Sequence, residues 1–132
     1  MSAHRVLAGG VATALAQAPG LAGVAVFDAP PERAARPFAV VAEPQLAEWG
    51  LKEIAGCEAR LSVLIEDGGP SPARLRGLAG EAEAAMAALP RRLGEGWRWA
   101  SLVMVRSRIL RAGEGRWTAI LDWRVRMLRE DA

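Results

Sequence analysis

The sequence predicts an α+β fold: a single small mixed or antiparallel sheet with two helices packed on one face, in the order α-β-β-β-α-β-β. Three observations predict it. In residues 58–67, Ala59, Leu61, Val63 and Ile65 alternate with Arg60, Ser62, Leu64 and Glu66, the period of two of a half-buried strand. In residues 71–89, Leu75, Leu78, Ala82, Met86 and Leu89 recur at spacings of three and four, which is one apolar stripe of a helix. Residues 97–110 and 116–128 are long alternating runs joined by a Gly-containing stretch at 111–115, the pattern of an antiparallel hairpin. None of these segments can hide its apolar face alone, so they are expected to pack on each other.

Taken in order, residues 2–17 read as the first helix. Val6, Leu7, Val11, Ala14, Leu15 and Ala18 fall at helical spacing, and Pro19-Gly20 stops the run. Gly9 and Gly10 weaken it by about 1 kcal/mol each relative to Ala. Residues 24–27 form a short strand, followed by a breaker-rich loop. Residues 38–42 are apolar on both faces, which predicts a covered, central strand. Residues 43–57 fit no period and contain Pro44, Gly50 and Gly56, so they read as a long loop or an extended hairpin arm. Ser71 is positioned to cap the second helix, with Pro72 in its first turn. In the last strand, Trp117, Ala119, Leu121, Trp123, Val125 and Met127 share one parity. Trp117, Leu121, Trp123 and Val125 are therefore expected to face Leu75, Leu78, Met86 and Leu89. In residues 97–110, strict alternation places Trp99, Ser101, Val103, Val105, Ser107 and Ile109 on one face, and Arg98, Ala100, Leu102, Met104, Arg106, Arg108 and Leu110 on the other.

Composition sets the bounds. A chain of 132 residues reads as one domain, 1–132. A domain of this size buries about two-thirds of its unfolded surface and needs no covalent staple. One cysteine, Cys57, excludes an intrachain disulfide. One His and one Cys exclude the usual four-ligand zinc site, so neither metal nor cofactor is expected. No run approaches the roughly 18 apolar residues of a membrane span. The apolar start is short and broken by Thr13 and Gln17, unlike a signal peptide, so synthesis in a bacterial cytoplasm is expected.

No constellation predicts catalysis. His4 has no partner in view, and Cys57 has no nearby His to activate it. Gly68-Gly69 lacks the Lys and spacing of a phosphate loop, and Pro70 and Pro72 remove amides that a phosphate would need. Glu81 and Glu83 diverge around a helix and cannot act as a carboxylate pair. No enzyme activity and no small-molecule substrate are expected.

The net charge of +2 hides an asymmetry: residues 1–90 carry seven basic and ten acidic side chains, whereas residues 91–129 carry ten Arg and three acids. Arg106, Arg108, Arg124 and Arg126 on the hairpin are the candidate cationic residues. Arg interleaved with aromatics is how single-strand binders work, so a small nucleic-acid-binding module is the alternative reading. The Trp residues of the hairpin fall on the opposite parity, which favours a solvated face or a contact with a neighbouring subunit. In the arm, Leu46, Trp49, Leu51 and Ile54 are apolar residues without an evident core, rimmed by Lys52, and so complete the candidate interface.

The apolar and turn pattern of residues 38–42, 45–69, 71–89, 96–108 and 117–126 covers nearly the whole chain. It resembles the small tail-completion, or tail terminator, proteins of long-tailed phages, and is most similar to the version in gene transfer agents. The resemblance implies a structural virion-type protein and the α+β fold already read. It further implies a homo-oligomeric ring, hexameric in the family, that ends the tail tube at its head-proximal end. The partners would be the tail tube protein and the head–tail connector, or stopper. DNA would pass through the lumen without specific binding. The resemblance brings no catalytic residue.

Overall fold

The structure, a computed structural model, describes residues 3–130. Helix α1 (Ala3–Gln17) and a single 3-10 turn (Pro19–Leu21) lead into β1 (Ala25–Phe27), β2 (Phe38–Val41), β3 (Gln45–Glu48) and β4 (Gly56–Gly68). Helix α2 (Ala73–Ala87), β5 (Arg92–Gly94), β6 (Trp97–Gly113) and β7 (Arg116–Arg129) follow. The expected start of α1 at Ser2 lies outside the described residues. The seven strands form one sheet in the order β1-β2-β4-β7-β6-β5, and β3 pairs with β4 on the edge that β2 also occupies. Only β1 and β2 are parallel; the other pairings are antiparallel. This is the expected α+β arrangement, with two short strands, β3 and β5, added to it.

The core lies between the sheet and the helices. β4 and β7 pair along their whole lengths, Leu61 opposite Trp123 and Val63 opposite Leu121, so their odd-numbered residues share a face. Against that face pack Leu75, Ala79, Ala82 and Met86 of α2, with Leu89 just beyond it, and Val6, Leu7, Val11 and Leu15 of α1. All four residues of β2 are buried, as a central strand requires. Ser71 accepts the amide N–H of Ala73 at 3.1 Å, but Pro72 occupies the cap position itself rather than the first turn. The two acids at 66–67 part company because they point to opposite faces. Asp67 is buried, and its carboxylate takes Nε–H of Arg74 at 2.9 Å and the amide of Gly68 at 2.8 Å. These bonds tie the end of β4 to the start of α2. The Arg74 guanidinium holds the Asp67 carboxyl below the usual carboxylate range.

Two differences from the sequence reading matter for the site. First, β6 does not alternate strictly. Its register against β7 shifts between Trp99 and Ser101 and again between Met104 and Arg106. Each bulge inserts one residue, and each therefore reverses the side-chain parity. Trp99, Leu102, Met104 and Ile109 consequently face the core, opposite β7 residues of the buried parity, while Ser101 and Val103 turn to the outer face opposite Arg126 and Arg124. Second, β6 runs to Gly113, so the hairpin turn is only Glu114 and Gly115 rather than the five residues 111–115. Gly115 takes φ +67, the left-handed conformation that such a tight turn demands.

Candidate functional site

The four hairpin arginines are brought together. Arg124 and Arg126 lie on the outer face of β7, away from the helices, and the bulges put Arg106 and Arg108 on the same face of β6, opposite Asp122 and Ile120. Three of these four arginines lie near an acid. Glu58 of β4 lies 3.1 Å from Nε of Arg126 and 3.8 Å from Nε of Arg124. Asp122 accepts the hydroxyl of Ser62 and lies 3.5 Å from Nε of Arg106. Arg108 is exposed and has no ion-pair partner among the described residues. Half-buried pairs of this kind hold neighbouring strands in register and add little to stability.

Four of the five Trp residues belong to the other side. Trp97 and Trp123 are buried in the core, and Trp99 and Trp117 pack at its margin. Trp99 donates its indole N–H to the carbonyl of Pro90 at 3.0 Å, and Trp117 donates to Gly69 at 3.2 Å. Trp49 is half-buried beneath the guanidinium of Arg126, 5.4 Å from ring centroid to Cζ. The surface therefore lacks the row of free aromatic faces on which single-stranded bases would stack.

The arm is anchored rather than loose. β3 pairs with β4 from Gln45–Arg60 to Glu48–Cys57. The hairpin closes through residues 49–55, where Leu51 and Ile54 exchange backbone hydrogen bonds at 3.1 Å. Gly56 is essential to this closure, since a Cβ there would lie 2.5 Å from the Trp49 carbonyl oxygen. Of the arm residues proposed from sequence, Leu46 is partly buried and packs against the core. Trp49 and Ile54 are half-buried, whereas Leu51 and Lys52 are exposed at the tip. The periodic reading gives Val103, Val105 and Leu110 no interface role, although it sets Leu110 on the arginine face. It placed both valines on the tryptophan face, but the bulges and the bare edge of β6 leave all three exposed.

Nothing else among the described residues resembles a reactive centre. Cys57 is buried, and burial pushes its thiol up, away from the reactive thiolate. His4 does have a partner, Glu43, 2.8 Å from its Nδ1, but both side chains are exposed. No group of three or more metal-ligating side chains occurs among the described residues. No helix there is long and apolar enough to cross a membrane. Surface grooves of about 410 and 450 Å³ lie between α1 and residues 89–93 and within the arm; the first has no carboxylate in its lining, and the second is lined by Glu48, Lys52 and Glu53.

The family model for Tail completion protein gp17 matches residues 9–128. The chain belongs to this family. A solved chain from a structure titled "Virion of native gene transfer agent (GTA) particle" superposes with a TM-score of 0.78 at 25% identity, over 92% of this chain and 94% of that one. No curated protein matches the sequence.

Proposed function

We propose that this tail-completion protein is the terminator of a phage-type or gene transfer agent tail: several copies close into a ring on the finished tube, stop its growth and offer the head connector a docking surface. The observation that carries the reading is the match to a chain of a gene transfer agent virion over 92% of this chain and 94% of that one. The ion pairs of Arg106, Arg124 and Arg126 with Asp122 and Glu58 support the same reading, because a lumen that DNA crosses must not hold it tightly. The reading is of a structural part and not an enzyme, with its place at the head-proximal end of the tail.

The test is deletion of the gene in the particle-producing cell, with electron microscopy of the products. Tubes of uncontrolled length and unjoined heads are the expected result, reversed by supplying the chain in trans. Correctly sized, joined tails in the deletion would refute it. The nucleic-acid reading would be favoured instead if the isolated protein bound single-stranded DNA with a steep log–log salt dependence.

A further inference from the structure

The described surface exposes four large hydrophobic side chains: Leu51 at 56%, Val103 at 43%, Val105 at 52% and Leu110 at 43%. They fall into two groups in different places. Leu51 is at the arm tip, beyond the Gly56 end of β4, whereas Val103 lies opposite Arg124 near mid-sheet and Leu110 opposite Thr118 near the Gly68 end. The arm of one molecule therefore does not cover the β6 stretch of the same molecule.

The second group sits on an open edge. β5 pairs with β6 only at Trp97 and Arg98, and Trp99 bonds to the carbonyl of Arg91. From residue 100 to 112 the outer edge of β6 has no strand partner among the described residues. That is a stretch of about 40 Å at the usual strand rise. It carries no Pro; its only guards are Arg106, Arg108 and Arg111, the two bulges at Ala100 and Val105, and a third register shift between Arg111 and Gly113. Its surroundings are cationic: Arg108 and Arg111 are exposed and have no acid partner among the described residues. The arm carries the opposite sign, with Glu48 and Glu53 exposed on either side of Leu51, likewise without a cation partner there, against the one charge of Lys52.

We propose that the arm tip around Leu51 of one copy docks on the β6 stretch 103–111 of the next copy. This rests on the ring reading and specifies its joint. Apolar side chains meet apolar side chains, and Glu48 and Glu53 approach Arg108 and Arg111, which sets the pairing and the orientation. Because two different patches of one chain are joined, the contact is head-to-tail and propagates, closing as a ring when the rotation permits. A face-to-face pair of identical patches would stop at a dimer.

The experiment is oxidative cross-linking of assembled particles carrying Leu51→Cys together with Val105→Cys, with each single variant as control. The double variant should give a ladder of cross-linked multimers of this chain, and the single variants none. A dimer from Val105→Cys alone would overturn the head-to-tail joint. Particles containing several copies but no ladder would overturn the docking and leave the ring standing, whereas one copy per particle would overturn both. Charge reversal supplies an independent arm. Arg108→Glu with Arg111→Glu should abolish tail joining while the chain remains folded, and adding Glu48→Arg and Glu53→Arg should restore it. Failure of the fourfold variant to restore joining, with its fold intact, counts against the assigned pairing.

Discussion

Trp123→Ala is the sharpest probe of the core. Trp123 is 2% exposed, pairs across the sheet with Leu61 on one side and Met104 on the other, and belongs to the cluster beneath the helices. A buried Trp removes about 150–250 Å² from water, or about 4–6 kcal/mol of gross transfer energy at about 25 cal/mol per Å². Residual burial in the unfolded chain lowers that by about 10–40%. The remainder agrees with the about 3–5 kcal/mol usually lost when a buried large aromatic is truncated. Against a typical total of about 5–15 kcal/mol, the variant should be near its limit. Its melting temperature should fall by about 10–20 °C, taking about 3–5 °C per kcal/mol for a chain of this size. Urea unfolding followed by far-ultraviolet circular dichroism measures this directly, with the denaturant slope checked for constancy. A loss below about 1 kcal/mol would show that Trp123 does not fill the space between sheet and helices, and the register of β4 on β7 would have to be wrong.

The remaining predictions concern the strand parity, the buried acid and the two inert groups. Leu102→Asp should cost at least about 2 kcal/mol, because it places a charge toward the core, while Val103→Asp, opposite Arg124, should cost no more than about 1 kcal/mol; the reverse order in chemical denaturation would mean that the bulges are absent. The folded-state pKa of Asp67 is lowered, so its contribution is complete above the unfolded carboxylate value of about 3.9 and is lost as pH falls through the folded value. Asp67→Asn should therefore be less stable than the parent at neutral pH, and the gap should narrow below about pH 4; a pH-independent gap in unfolding midpoints would deny the Arg74 interaction its role. His4→Ala with Cys57→Ala should leave tail completion intact in particle counts, since the Cys57 thiol is buried and the His4–Glu43 pair lies exposed at the surface; a folded double variant that fails to complete tails would call for a chemical role.

By itself the sequence determined what depends on local periodicity. A period of two in β4 and β7, a period near three and a half in α2 and an unbroken apolar run in β2 each follow from which residues must meet water and which must not. These patterns are written position by position, so the α+β class, the element order and the core residues Leu75, Met86, Leu121 and Trp123 were legible.

The surface was decided only in three dimensions. A bulge adds one residue with no change in composition or hydropathy, so nothing in residues 97–113 announces that Ala100 and Val105 break the alternation, and Val103 looked buried until the register was known. The pairing of Glu58 with two arginines, which disarms the cationic face, joins residues more than 60 positions apart. Leu46 and Leu51 are equally apolar in sequence, but β3 turns Leu46 onto the core opposite Ala59, whereas the tip of the hairpin leaves Leu51 in water. Which apolar residue remains for a partner is fixed by where the sheet ends, and a sheet's edges exist only once its distant strands have paired.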